Sequence, residues 1–334
     1  MSTPIGAGRP EAAQPPRPDA AYRGAGDGEP LPAHVSPTYY DRPLLKKPHW
    51  EWEVVTYLFL GGVMGGCGML VAIADEDGED RELVRNARYL AFGLAAACPA
   101  LLVGHLGRPE RFLHMLRIVK FKSVMSMGVW GLVLFSLPAS AGAAAQAAED
   151  GLMPDWLRHV ALRPLVKPLQ ALLGAFITGY TGVLISSTAI PLWAKGKRYI
   201  PALCVCSGVA GGCAASAASL ALTGGAEASF AKLERLETIA AFAELALLFG
   251  FERHAGELGA PMYRGERGAK LRTWTMGLGI VAPALLNAVP VHARWKTLLA
   301  SALTLAGGYV FRETLIEAGK ASAGDPKAAA RQPE

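Results

Sequence analysis

The sequence predicts an all-α integral membrane protein with eight transmembrane helices, and two observations lead to this fold class. The 334 residues are 51% hydrophobic and only 18% charged, against about 25% charged in a typical soluble domain. Residues 54–74 and 199–223 contain no charged side chain. A membrane-spanning helix needs about 20 mostly apolar residues, and soluble core helices rarely run so long without a charge.

The same criterion places the remaining helices along the chain. We expect helices at residues 53–74, 86–106, 124–147, 166–187, 200–223, 230–251, 272–290 and 296–316. The sixth is less apolar, because four charged residues crowd its start and Glu244 lies inside it. The eighth ends in Arg312 and Glu313, so its last turn should lie at the interface or face protein. Eight spans would put both termini on one side.

The two ends of the chain are not expected to join this helical core. Residues 1–46 are rich in Pro, Gly and Ala without an apolar run, and they lack the basic start and apolar stretch of a signal peptide. They are interpreted as a disordered tail or a partner-docking arm. Residues 319–334 are predicted to be a disordered tail.

The metal-binding residue types do not form a recognisable cofactor site. All five cysteines fall in predicted spans, without the spacing of four thiolates that an iron–sulfur cluster needs. The seven histidines lie in the tail, in loops or near helix ends, so no two helices offer mid-membrane ligands for a haem. We therefore expect no haem, iron–sulfur cluster or other metal bound by this chain, and no nucleic-acid partner.

Small residues in the helices predict close packing rather than chemistry. Gly61 and Gly65, and Gly62 and Gly66, form overlapping G-x-x-x-G pairs in the first helix, which let helix backbones approach closely. The fifth helix is similarly rich in Gly, Ala and Ser.

Polar residues at the helix ends carry a family resemblance. The segments are KPHWEWEVVTYLFLGG at 47–62, LGRPERFLHML at 106–116, SVMSMGVW at 123–130, GYTGVLI at 179–185 and PLW at 191–193. In this order and spacing the chain resembles the NrfD/PsrC family, the membrane subunits of polysulfide reductase-like and nitrite reductase-like complexes. The resemblance covers residues 47–317, and its motifs are concentrated in the first four helices.

The resemblance implies an architecture and a function. Residues 47–190 would form a four-helix bundle with a quinone site, and residues 191–318 a second four-helix bundle. The chain would exchange electrons between menaquinone or ubiquinone and an iron–sulfur subunit, which serves a separate catalytic oxidoreductase subunit. It would have no enzyme activity alone, and it would lie among the lipids of a bacterial cytoplasmic membrane as part of a respiratory chain.

Quinone chemistry moves two electrons and two protons, so the headgroup needs hydrogen-bond partners and at least one proton relay. The first helix starts on the side where the second and fourth end, which brings six polar residues to one membrane face: His49, Glu51, Glu53, His105, Arg108 and Tyr180. Tyr180 matches the tyrosine that the family places at the headgroup, although an interfacial belt tyrosine is the alternative. His49, Glu53 and Arg108 complete the predicted quinone site.

Two residues are candidates for a proton path. Relatives usually have Asp before the Leu-Gly-Arg-Pro stretch, and this chain has His105, which can exchange protons but cannot supply a fixed negative charge. Glu244 would cost about 2.5–3.5 kcal/mol in the membrane centre, so it should be neutral, paired or in a polar cavity. Structural hydrogen bonding is the alternative for both residues.

Basic residues indicate a docking face but leave the orientation in conflict. Arg111 and Lys120, with Arg108, are candidates for partner docking, with lipid phosphate contact as the alternative. The loops on the side of the termini are rich in Arg and Lys, and the positive-inside rule would make that side cytoplasmic. Basic residues that dock a partner would add to the number of Arg and Lys on this side for a reason unrelated to membrane orientation.

Three other functions stay open at this point. The chain could be a membrane anchor without its own quinone site. It could be an ion-translocating module in which Glu244 and the second bundle carry protons. A secondary transporter is a further alternative, although the sequence shows no clearly broken pair of helices.

Overall fold

The computed structural model describes residues 45–74, 78–106, 108, 110, 112–157, 163–289, 293–326 and 328, with the side chains of residues 163 and 164 left aside. Within these ranges the chain is helical and contains no β-strand. The fold class is therefore confirmed as all-α. The predicted tail before residue 45 and most of the region after residue 326 lie outside the described residues.

Long helices make up most of the described chain. They are α1 (Trp52–Ile73), α2 (Arg81–His105), α4 (Val124–Glu149), α5 (Arg163–Ser186), α7 (Ile200–Thr223), α8 (Glu227–Ala255) and α12 (Arg294–Ala323). Short helices connect them: α3 (Phe112–Met115), α6 (Pro191–Lys195), the 3₁₀ turn Gly256–Gly259 and α9 (Ala260–Tyr263). Between α9 and α12 lies a helical stretch of three parts, namely α10 (Gly265–Lys270), a π-helix (Leu271–Val281) and α11 (Ala282–Ala288).

Among the described residues, five helices are long and apolar enough to cross a membrane: α1, α2, α4, residues 165–186 of α5, and α7. These are the first five predicted spans. The later helices do not meet the same criteria, because α8 and α12 are long but carry charged residues, and the stretch 265–288 is divided into three shorter parts. Several apolar helices of membrane-spanning length make this a membrane protein, whereas eight spans are not established by length and composition.

The helices pack in two rings of neighbours. In the first helix set, α1 packs on α2 and α5, and α4 packs on the same two helices. In the second helix set, α8 and α12 both pack on α7 and on the stretch 265–288. The sets meet where α1 contacts α7 and α12, and where α5 contacts α7.

Glycines allow the closest of these helix contacts. A methyl group on Gly65 would overlap the carbonyl of Gly174 in α5, and one on Gly66 would overlap the carbonyl of Gly208 in α7. The predicted G-x-x-x-G face of α1 thus packs against two helices at backbone distance, as expected for membrane helices.

The π-helix precedes a proline that disfavours regular α-helical bonding. Pro283, in the first turn of α11, has no N–H to donate back to Gly279 and crowds that carbonyl. The wider hydrogen-bonding pattern of residues 271–281 accommodates this defect.

The last helix extends beyond its predicted end at residue 316 and reaches Ala323. Its final turns are held by α6, because Gly319 lies directly against the Trp193 ring and the Ser322 hydroxyl accepts a hydrogen bond from the Leu192 N–H at 3.1 Å. The first residues assigned to the disordered C-terminal tail are therefore helical, a tertiary effect that their polar composition did not reveal.

Candidate functional site

One end of the first helix set collects the groups that the sequence analysis singled out. Helices α1 and α4 begin at this end, and α2 and α5 finish there. Because neighbouring helices alternate in direction, residues far apart in sequence meet at the same level.

A cluster of two histidines and two carboxylates surrounds the start of α1. The His49 Nε2 lies 3.0 Å from a Glu51 oxygen, and the His105 Nδ1 lies 3.8 Å from a Glu53 oxygen. The rings of His49 and His105 stack with centroids 6.5 Å apart. The first pair is exposed and the second is mostly buried, with His105 and Glu53 side chains 23% and 22% exposed. The His–Glu cluster thus joins solvent to the membrane edge.

Two tryptophans fix the segment that carries His49. The ring of Trp50 stacks on that of Trp193 with centroids 5.0 Å apart. Trp193 is fully buried, and its indole N–H donates to the carbonyl of Leu315 at 2.9 Å. The extended residues before α1 are therefore tied to the second helix set.

Tyr180 lies in an apolar groove between α4 and α5. The groove has a volume of about 370 Å³ and is lined by Phe121, Val124, Met127, Ala175, Phe176, Gly179, Tyr180 and Val183. The Tyr180 hydroxyl donates to the Val124 carbonyl at 2.8 Å, and its ring stacks on Phe176. Gly128 is essential to this position, because a side chain there would overlap the phenol of Tyr180. The volume is in the range of small-ligand sites, about 300–1,000 Å³.

Tyr57 is a buried tyrosine near Tyr180 that was missed by the sequence analysis. It lies one helical turn after Glu53 on α1 and is 4% exposed. Its phenol is close enough to that of Tyr180 to interact electrostatically. The signal for Tyr57 was its four-residue spacing from Glu53, which places both side chains on the same face of α1.

Two of the predicted docking residues, Arg108 and Lys120, lie at the same end but outside the cluster. Arg108 and Lys120 are exposed, and Arg111 lies outside the described residues. Further exposed cations at this end are Lys122, Lys197, Arg198, Arg253, Arg264 and Arg267. The end of the molecule that carries the His–Glu cluster is therefore strongly basic.

Glu244 is remote from this site and lies within the second helix set. It is 4% exposed and interacts with the guanidinium of Arg312, which is 1% exposed. Arg312 also donates from Nη2 to the Cys204 carbonyl at 3.2 Å. The sequence analysis expected the last turn of this helix to lie at the interface or to face protein, and Arg312 is buried by the neighbouring helices. The helix also continues past its predicted end at residue 316 and reaches Ala323.

The apolar helices, with ionisable groups collected at helix ends or buried within a ring of helices, define a multi-pass membrane protein. The family model described as "Polysulphide reductase, NrfD" matches residues 44–323. The chain belongs to the NrfD family, as the sequence resemblance indicated.

Two relatives show the same affiliation. The chain is 28% identical over 276 residues to Protein NrfD of Escherichia coli strain K12, which covers 71% of this chain and 84% of that protein. It is also 28% identical over 193 residues to the Protein NrfD homolog of Haemophilus influenzae, covering 50% of this chain and 57% of that protein.

Proposed function

We propose that this chain is the quinone-interacting membrane subunit of a respiratory oxidoreductase complex in a bacterial cytoplasmic membrane. The observation that carries the proposal is that the His–Glu cluster and the apolar groove of Tyr180 lie at the same end of the first helix set. Family membership supports it, since the matching family model is described as polysulphide reductase.

In this proposal the seven long helices and the three-part stretch 265–288 provide eight spans in two four-helix bundles, residues 47–190 and 191–318. The two rings of packed neighbours support that arrangement. The charged residues of α8 and α12 do not oppose it, because Glu237, Glu244, Lys296 and Arg312 are buried between helices rather than exposed to lipid.

Menaquinone or ubiquinone would place its headgroup beside Tyr180 and its apolar tail along the groove. Oxidation of a quinol releases two electrons and two protons. The phenol oxygen of Tyr180 can accept a hydrogen bond from one quinol hydroxyl, and Glu53 with His105 can receive protons and pass them to His49 and Glu51 at the surface. In the reverse direction the same groups would supply protons to the reduced quinone.

The electrons need a partner, because no redox centre is expected on this chain. An iron–sulfur subunit docked on the basic end, against Arg108, Lys120 and the region of Arg111, would lie above the quinone site. An acidic partner surface would complement these exposed cations. A separate catalytic subunit would define the substrate of the complex.

The decisive test compares two tyrosines in the complex isolated with its partners. Tyr180→Phe should lower quinone-linked turnover about tenfold, since loss of a hydrogen bond worth about 1.5 kcal/mol corresponds to that factor. Tyr309→Phe is the matched control, because Tyr309 is a half-buried tyrosine that packs edge-on against Phe59 away from the groove. His49→Ala should also lower turnover.

Normal assembly with unchanged turnover in both Tyr180→Phe and His49→Ala would show that the quinone site is elsewhere. Absence of extractable quinone from the wild-type complex would favour the alternative of a membrane anchor. A transporter-like ion module is supported by buried Glu244, and it would be favoured if Glu244→Gln abolished ion movement while turnover persisted.

A further inference from the structure

Buried polar groups run along the interior of the second helix set. Glu234, Glu237 and Glu244 have spacings of three and seven residues, so they share one face of α8. Glu237 and Glu244 are only 3% and 4% exposed. Glu234 and Glu244 are ten positions apart, which corresponds to about 15 Å along the helix, or half the thickness of a membrane hydrocarbon core of about 30 Å.

A small polar cavity lies between the two deeper carboxyl groups. It has a volume of about 10 Å³, and each of the four helices of the second set contributes a polar side chain to its lining: Ser207, Glu244, Thr275 and Thr304. This volume corresponds to about one water molecule, and a buried water needs two to four polar partners. The cavity has both the size and the lining of a single-water site.

The hydrogen bonds around the cavity point to an occupant. The Thr304 hydroxyl donates to a Glu237 oxygen at 2.5 Å, and the oxygen of that hydroxyl can still accept a hydrogen bond. The Oε1 atom of Glu244 is buried without a hydrogen-bond partner among the described residues. A buried polar atom without a partner costs about 1–3 kcal/mol, so a water molecule bridging Glu244 and Thr304 would remove that penalty.

Arg312 makes a charge on Glu244 tolerable. Its guanidinium interacts electrostatically with this carboxyl group and lies against the Phe311 ring. Glu237 instead accepts a hydrogen bond from the neutral Thr304 hydroxyl. The two carboxyl groups therefore have different surroundings.

We propose that Glu244 and Glu237 form a proton-transfer pair joined by one buried water and the Thr304 hydroxyl. The proposal rests on the proposed function only for the redox reaction that would drive the protons. Its site, the two carboxyl groups and the water, is separate from the Tyr180 groove.

The transfer step needs no group beyond those in the cavity. The protonated Glu244 gives its proton to the water, the water gives one of its own to the Thr304 oxygen, and Thr304 gives its original proton to Glu237. Each of the two bridging groups gains one proton and loses one, so only Glu244 and Glu237 change protonation state. When Glu237 is ionised, the Thr304 hydroxyl donates to it, which is the direction that this transfer requires.

A buried lysine, Lys296, lies near the Glu237 side of the proton-transfer pair. The Lys296 ammonium is 3.4 Å from a Glu234 oxygen and donates to the Val289 carbonyl at 3.2 Å. Glu234 lies one turn from Glu237 and interacts with it electrostatically. A proton on Glu237 would thus be released toward the Glu234–Lys296 end of the second helix set.

The proposal is tested on the full chain purified with its partners, with infrared spectra of the carboxylic acid C=O stretch in H₂O and D₂O. Glu244→Gln should shift the C=O band of Glu237, and Glu237→Gln should identify that band by removing it. Thr304→Val keeps the side-chain shape but removes the hydroxyl, and in this background Glu244→Gln should no longer shift the band. Thr304→Ser should restore the shift.

Proton movement provides the second readout. In vesicles that contain the complex, Thr304→Val should reduce protons moved per turnover at least threefold, while turnover in the presence of an uncoupler stays at the wild-type level. Glu252→Gln is the matched control, because Glu252 also lies on α8 but is not one of its buried carboxyl groups.

The proposal is overturned if the Glu237 band is insensitive to Glu244→Gln, or if Thr304→Val moves protons as the wild type does. The infrared readout does not depend on quinone. A complex without quinone-linked turnover that still shows the coupled bands would therefore contradict the proposed function and support the proton-transfer pair.

Discussion

The two helix sets place their polar groups differently. In the first set, ionisable side chains collect at the ends of the helices, with the His–Glu cluster at one end and a network around Asp150 at the other. The middle of this set is occupied by groups such as Leu58, Cys98 and Phe135, all fully buried. In the second set, Glu237, Glu244 and Arg312 lie deep among the helices.

The different positions of the ionisable groups indicate a different role for each helix set. Ionisable groups at a helix end stay in contact with water and cost little, whereas those inside a membrane protein must be paired or hydrated. The first set is thus suited to bind an amphiphile at its rim, and the second to hold protons in its interior. Substitutions that alter the polar groups of one helix set should therefore separate quinone binding in the first set from proton storage in the second.

The largest effect is expected where the two sets meet. Gly66→Leu would force side-chain atoms into the backbone of α7 at Gly208, and overpacking against backbone should exceed the usual penalty of about 1–3 kcal/mol. We expect less than a tenth of the wild-type amount of folded protein, measured by fluorescence-detected size exclusion in mild detergent.

Gly93→Leu is the matched control for this change. Gly93 is an exposed glycine of α2 with open space around it, so its replacement should leave folding intact. Equal yields of both variants would contradict the close approach of α1 and α7.

A second, smaller effect should come from the interior of the second set. Arg312→Met removes the buried cation that interacts electrostatically with Glu244, and leaving that buried carboxyl group uncompensated should cost about 1–3 kcal/mol. We expect a lower thermal unfolding midpoint in detergent. The double variant with Glu244→Gln should recover much of the loss, because the carboxylate that needs compensation is gone.

The equivalent change in the first helix set allows a direct comparison of the two sets. Arg85→Met in the first set removes a cation that is 45% exposed and bound to Asp150, and it should cost only about 1 kcal/mol or less. Similar losses for the Arg85 and Arg312 variants would mean that Arg312 is hydrated rather than buried.

The smallest effect is a pH dependence at the end of the first set. Partial burial tends to raise the pKa of Asp150, but hydrogen bonds from Tyr89, Arg85 and Gln146 outweigh it and hold the pKa below its usual range. Because the folded-state pKa is lowered, this network stabilises the protein above about pH 4, the ordinary Asp value, and the contribution is lost as pH falls further.

Asp150→Asn should therefore lower stability by about 1 kcal/mol at neutral pH and by progressively less as the pH falls below about 4. Thermal unfolding of the wild type and the variant across this range measures the difference. A stability gap that widens in acid would show that Asp150 does not stabilise the fold as a carboxylate.

Much of the fold could be predicted from the sequence because membrane helices are encoded locally. Five predicted spans agree with helices of sufficient length and apolarity, since each span must satisfy its own backbone and contact lipid along its length. The His49, Glu53 and His105 group could also be predicted, because helix alternation alone assigns each end to a side.

Other features depended on contacts that no local pattern reports. Tyr57 looked like one aromatic residue among several, and Arg312 looked like the end of a span. The π-helix followed from a proline whose effect on the preceding residues was not evident in the hydropathy.

The sequence by itself determined the class of this protein, its family and the end at which its polar motifs gather, because apolar length and motif order are properties of the chain. The tertiary structure alone decided which buried groups face one another. Thr304 and Glu237 are 67 positions apart, and only the packing of four helices around one interior brings their side chains together. Their partnership depends on that packing, because a buried carboxyl group must find a donor wherever the fold supplies one.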